Sequence, residues 1–277
     1  MPTRLPLTRG RVTALAVGMP VVLACIGWMA FSAVALASQV SYRVNVSAPV
    51  SGPGVRLVLG QADAVIRPGS ASRIRVSGKL TGSLVRPEFQ SHPTATGLAL
   101  NARCPVPTGN CTLDFHVTAP ARRPLNVSGS SGDLNVAGFR GHVTISNGSG
   151  NLSASALAGT ISLSAGSGDI GASGLAGSRV KLSNGSGNID VAGLAATDVV
   201  GSDGSGDITL TFTRAPRQVT VENGSGNITL VLPRGPRYQV DARSQSGNVG
   251  VGVKTRPSAP YAITATAGSG DISISYA

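Results

Sequence analysis

The chain has 277 residues, 41% of them hydrophobic but only 4% aromatic, with 37 glycines and a formal net charge of +11. So much Gly would suit a disordered chain, but alternating Val, Ile and Leu persist through every repeat, which excludes disorder and favours a thin β core of small side chains. Three Cys and three scattered His (His92, His116, His142) supply no metal-ligand set of ordinary spacing, and no cofactor is implied.

Residues 1–38 form a first segment, a basic tip with Arg4, Arg9 and Arg11 and then an uncharged run from Val12 to Ala37. The run is long enough to span a bilayer, which predicts one transmembrane helix with its basic end cytoplasmic. Ala35-Leu36-Ala37 before Ser38 matches a signal-peptidase site, so secretion after cleavage near Ala37 is the alternative. Modification of Cys25 by lipid is a third route. All three put the remainder outside the cytoplasmic membrane.

Residues 39–125 read as an N-terminal β cap with the first coils. Stretches such as Ser41-Tyr-Arg-Val44-Asn-Val46 and Arg73-Ile74-Arg-Val76 alternate apolar with polar or basic residues, as half-buried strands do. Ten Lys/Arg against three acids make this module basic. Cys104 and Cys111 flank the turn-forming Pro105–Asn110 and are positioned to close a small disulfide loop in an oxidising compartment.

From residue 126 to 277 one phrase recurs eight times: Gly-Ser-Gly (twice only Ser-Gly), then Asp or Asn, then Leu, Ile or Val. Its Asp/Asn markers are Asp133, Asn151, Asp169, Asn188, Asp207, Asn227, Asn248 and Asp271, at separations of 18, 18, 19, 19, 20, 21 and 23. Strict alternation on both sides of each turn gives two half-buried strands per repeat, and a period near twenty without a helical pattern predicts stacked coils. The fold class is therefore all-β, a right-handed parallel β-helix or β-solenoid of 18–23-residue coils preceded by the N-terminal transmembrane or signal helix. Eight rungs make a rod roughly 35 Å long. Small residues around one large plug (Phe139, Leu157, Leu175, Leu194) mark the far corner of the early coils; later that corner lengthens into loops carrying Pro and Arg.

Those loops hold Arg214, Arg217, Arg234, Arg237, Lys254 and Arg256, each between the second strand of one coil and the first strand of the next. Stacking should bring them to one side as a stripe for an anionic partner, whereas the structural alternative is solvated loops that keep the strands soluble. Catalysis by a β-helix needs carboxylates gathered on one open face. Here Asp alternates with Asn in the turns, which preserves turn geometry and loses acid/base capacity, so the turns read as a structural ladder. Lys181 and Asp190, which flank one turn, are expected to form an ion pair.

The turns "NGSGNI" and "AGSGDI", the Cys pair ahead of "LDFHVTAP", "LTFTRAP" before "VTVENGSG", and "LVLPRGPRYQV" before "SQSGNV" together resemble the putative adhesin family of bacterial β-solenoid proteins, a domain of unknown function. The resemblance covers about residues 45–277 and implies surface exposure with adhesive or envelope-linked roles, and no catalytic residues. The reading is a non-enzymatic interaction module at the cell envelope, with anionic cell-wall polymer, polysaccharide or lipid head groups as partners and no role for nucleic acid. A structural scaffold or envelope-stress sensor is the alternative, and a glycan-active β-helix enzyme the third.

Overall fold

The computed structural model describes residues 40–277, apart from 51, 71, 84–85, 95–96 and 105–110, together with residue 28. The N-terminal transmembrane or signal helix expected within residues 1–38 thus lies, save for Trp28, outside the described residues. Among the described residues no helix is long and apolar enough to cross a membrane.

The strands follow the alternation in the sequence. Ahead of the repeats come β1 (Val40–Pro49), β2 (Val55–Gly60), β3 (Asp63–Gly69), β4 (Arg73–Gly82), β5 (Glu88–Thr94), β6 (Gly97–Arg103) and β7 (Cys111–Pro120). The early repeats give β8 (Leu125–Gly129), β9 (Leu134–Ala137), β10 (Arg140–Ser149), β11 (Leu152–Ser155), β12 (Ala158–Ser167), β13 (Ile170–Ser173) and β14 (Ala176–Ser186). Then follow β15 (Ile189–Ser205), β16 (Ile208–Phe212), β17 (Gln218–Ser225), β18 (Ile228–Leu232), β19 (Gln239–Ser246), β20 (Val249–Val251), β21 (Ala262–Ser269) and β22 (Ile272–Tyr276).

Each coil lays one strand in each of two facing sheets. The first sheet runs β5-β6-β2-β8-β10-β12-β14-β15-β17-β21-β19 and the second β1-β4-β7-β3-β9-β11-β13-β15-β16-β18-β22-β20. Pairing is parallel except where β1, β4 and β5 join antiparallel at the N-terminal end. The long β15 passes from the second sheet to the first around a corner, serving both.

Inward residues stack into continuous apolar columns. Leu125, Val143, Ile161, Val180, Val199, Val219 and Ile263 form one; Leu134, Leu152, Ile170, Ile189, Ile208, Ile228 and Ile272 form the facing one, all nearly inaccessible. Burying each such side chain contributes about 1.5–3 kcal/mol. The corner plugs Phe139, Leu157, Leu175 and Leu194 are fully buried, as their spacing predicts.

Rung order departs from chain order at both ends. The last coil, β21–β22, lies between β17–β18 and β19–β20, so the penultimate coil is the outermost. At the other end β2–β3 lies between β6–β7 and β8–β9. Both sheets therefore run without a break from the segment before residue 125 into the repeats. The stack holds ten rungs among the described residues where the repeat phrase alone marks eight, because β2–β3 and β6–β7 lack that phrase. In the β6–β7 rung a disulfide, Cys104–Cys111 with Cα atoms 6.3 Å apart, stands where the other rungs have the glycine turn.

Candidate binding surface

The two corners of the coil differ in chemistry. At the glycine corner a side-chain carboxamide or carboxylate on one rung accepts the main-chain N–H of the next. In spatial order the acceptors are Asp63, Asp133, Asn151, Asp169, Asn188, Asp207, Asn227 and Asp271, with Asn248 closing the series, at N···O distances of 2.7–3.1 Å. Asn227 and Asn248 also donate their amide N–H to Asp207 and Asp271. The ladder predicted from Asp/Asn exchange is thus a chain of hydrogen bonds. Its glycines are obligatory: Gly187 has φ +109°, and a Cβ there would lie 2.4 Å from the Gly168 carbonyl oxygen one rung back.

Just inside the ladder sits a second, buried polar column. Asn147, Asn184 and Asn223 donate to the carbonyls of Gly132, Gly168 and Gly206 on the preceding rung at 2.8–3.0 Å. Asp203 occupies the same slot; it is 6% exposed, and burial pushes its carboxyl above the ordinary carboxylate range.

The opposite corner is basic. All six residues of the predicted stripe are exposed, and the loops bearing them occupy the same corner. The interchange of the last two coils makes the loop 233–238 cross to the outer rung while 252–261 returns, so the two run beside each other. Tyr238 locks the crossing: its N–H donates to the Lys254 carbonyl (3.0 Å) and its carbonyl accepts from Arg256 N–H (2.9 Å). Its ring meets Tyr261 and Tyr276 at 5.9 and 6.4 Å, its hydroxyl donates to the Pro233 carbonyl, and burial pushes its pKa up to about 12. Arg237, Lys254 and Arg256 are thereby gathered around Tyr238. Arg217 stands level with Tyr238 two rungs away, its carbonyl accepting Ala262 N–H on the rung between (2.9 Å). Arg214 is in the same loop as Arg217, while Arg234 is held back by donating to the main-chain oxygen of Ala277 (2.8 Å). Among the described residues none of these six cations forms an ion pair.

The sequence reading missed two features. Arg140 and Arg179 extend the basic corner toward the N-terminal end, Arg179 facing Asp198 at 3.9 Å. A groove of about 590 Å³ also opens on the outer face of the second sheet, where register places Arg43, Lys79, Asp114 and Asp63 side by side with Asp133 and His116 close by. These residues come from four strands and the turn before β9, scattered over ninety positions, and no local motif announces them. The expected Lys181–Asp190 pair does not form, because Lys181 is in the first sheet and Asp190 in the second, pointing outward on opposite faces.

The Toastrack DUF4097 family matches residues 106–276. The chain belongs to that family. No curated protein matches the Toastrack chain in sequence. Among solved structures it is similar to a putative adhesin from Bacteroides fragilis, 14% identical with TM-score 0.56, over 85% of this chain and 97% of that one. A putative lipid binding protein from Parabacteroides distasonis is 13% identical with TM-score 0.54, over 85% and 96%. A putative adhesin from the same species gives 13%, 0.50, 85% and 96%. At such identities the likeness concerns the fold.

Proposed function

We propose that this Toastrack chain is a non-enzymatic interaction module, displayed outside the cytoplasmic membrane on its N-terminal segment, that binds an anionic envelope surface through the basic corner. The observation that carries the reading is the gathering of Arg217, Arg237, Lys254 and Arg256 at the Tyr238 crossing, exposed and with no ion-pair partner among the described residues. Like charges placed together repel, and neutralising them on phosphate or carboxylate groups relieves that cost through charge-assisted hydrogen bonds. The acidic ladder lies at the opposite corner, so the rod presents one edge to an anionic surface and turns the other away. Display on the outside rests on the membrane-directing segment in the sequence, and the Cys104–Cys111 disulfide suits an oxidising compartment. A non-enzymatic role is supported by the ladder carboxylates, each of which accepts a main-chain N–H rather than standing free as an acid or base.

The test is binding of the full chain to vesicles with anionic head groups and to purified anionic wall polymer, with and without Arg217→Glu, Arg237→Glu and Arg256→Glu together. The triple variant should lose binding to both while melting where the wild type does. Wild-type binding should weaken as salt rises from low to physiological strength. Undiminished binding by the triple variant removes the basic corner from consideration.

A further inference from the structure

The C-terminal end of the rod is open. Among the described residues the outermost rung, β19 and β20, has a neighbour on one side only, so the core columns stop there without a cover among them. Val249 and Val251 continue the columns of Ile272 and Ile274, yet they are 42% and 41% exposed where their neighbours are 1% exposed. Solenoids need a capping element at such an end, and a free strand edge is a template for pairing. At the N-terminal end the antiparallel strands β1, β4 and β5 serve as that cap.

The chain itself blocks the start of the open edge, where Thr255 bridges Tyr238. Gln239 N–H donates inward to the Tyr261 carbonyl (2.8 Å), so the main-chain groups of Val240, Ala242 and Ser244 point to the open side. The free stretch is therefore Gln239 to Ser246. Its outward face reads Gln239, Asp241, Arg243, Gln245, all exposed. Asp241 and Arg243 already form a two-bond ion pair along the strand, at 2.9 and 3.0 Å.

That face is complementary to itself. When a second copy of the strand is laid antiparallel with Ala242 opposite Ala242, each Asp241 faces an Arg243 and each Gln239 faces a Gln245. The outward-pointing main-chain groups of Val240 meet those of Ser244. Moving the centre one residue either way sets Asp241 against Asp241 or Arg243 against Arg243, and like charges directly opposite are unfavourable. The dyad that pairs the strands is normal to the sheets, so it also sets the two β20 strands, with their exposed valines, against each other.

We infer that β19 is a homodimer edge. Two chains join tail to tail by antiparallel pairing of residues 239–245 about Ala242, with Asp241 and Arg243 of both copies alternating in a ring of four charges.

Sedimentation of the full chain in mild detergent should show a dimer. Asp241→Arg sets guanidinium groups opposite each other and Arg243→Asp sets carboxylates opposite each other, so each should weaken the dimer about tenfold or more. The double exchange Asp241→Arg with Arg243→Asp should restore it. A Gln239→Cys/Gln245→Cys variant supplies an independent readout. The two positions are roughly 20 Å apart on one strand, too far to bridge within a chain, so oxidation should give a disulfide-linked dimer. A monomeric wild type, a dimer indifferent to both single reversals, or failure of the cysteine variant to cross-link would each overturn the proposal.

Discussion

Asp203→Asn should stabilise the protein at neutral pH, and the gain should disappear in acid. Asp203 sits in a buried register position that carries Asn147, Ala165, Asn184, Asn223 and Ala267 on other rungs, and is 6% exposed. Its Oδ1 accepts a long bond from Ser205 N–H (3.2 Å), and its Oδ2 is buried without a partner. On the rungs to either side the corresponding asparagines donate an amide N–H to a glycine carbonyl one rung back, which an ionised Asp cannot do. An Asn in this slot also leaves one oxygen unpaired, as it does at positions 184 and 223, so the gain comes chiefly from removing a buried charge. We estimate about 1–2 kcal/mol at pH 7, or about 2–4 °C in melting temperature per kcal/mol for a chain of this size. Burial raises the folded pKa, so the wild type is at its best below the ordinary carboxylate value of about 4 and loses stability as pH rises through the raised value. Melting of both proteins by circular dichroism from pH 3.5 to 8 should show curves that diverge upward in pH. A gain independent of pH, or a loss at pH 7, would refute a penalised carboxylate.

Two further predictions bear on the corners. Asn188→Asp inserts a carboxylate between Asp169 and Asp207, making three adjacent charges at rung spacing, and should cost about 1–2 kcal/mol at low salt; chemical denaturation at rising NaCl should show the loss shrinking. Ala156 has φ +50° where the equivalent corner residues are Gly138, Gly174 and Gly193. Ala156→Gly relieves about 1–2 kcal/mol of left-handed strain against about 0.5–1 kcal/mol of chain entropy, so a small rise in denaturation midpoint is expected, and a clear fall would contradict it.

The strands, the inward columns, the plugs and the disulfide were legible because each is set by local alternation or by a single short motif. Rung order was not, since alternation says which face a residue takes and nothing about which coil lies beside it. One signal did carry that information. In chain order the ladder reads Asp133, Asn151, Asp169, Asn188, Asp207, Asn227, Asn248, Asp271, and the alternation fails between Asn227 and Asn248. In space Asp271 follows Asn227 and Asn248 closes the row, so from Asp133 onward no carboxylate neighbours another. Carboxylates would be kept apart in either order, so the mark of the interchange is the restored Asp/Asn alternation and not charge spacing. The basic corner was visible as six residues in three loops, but the tyrosine cluster that draws them together depends on the crossing and could not be read from spacing. The Lys181–Asp190 expectation failed for a related reason: proximity across a turn does not place two residues on one face of the coil.

The interchange of the last coils also governs how the rod can be completed. In a chain made from its N-terminus, β19 and β20 exist before the strands they rest on, and their place two rungs beyond β17 and β18 has no floor until β21 and β22 arrive. Growth by simple addition therefore halts one coil short. The final segment must slide into a slot already bounded on one side, and the Tyr238 crossing can close only after Tyr261 and Tyr276 are in position. Loss of residues 262–277 would consequently remove two rungs rather than one, which makes the extreme C-terminus the keystone of that end of the stack.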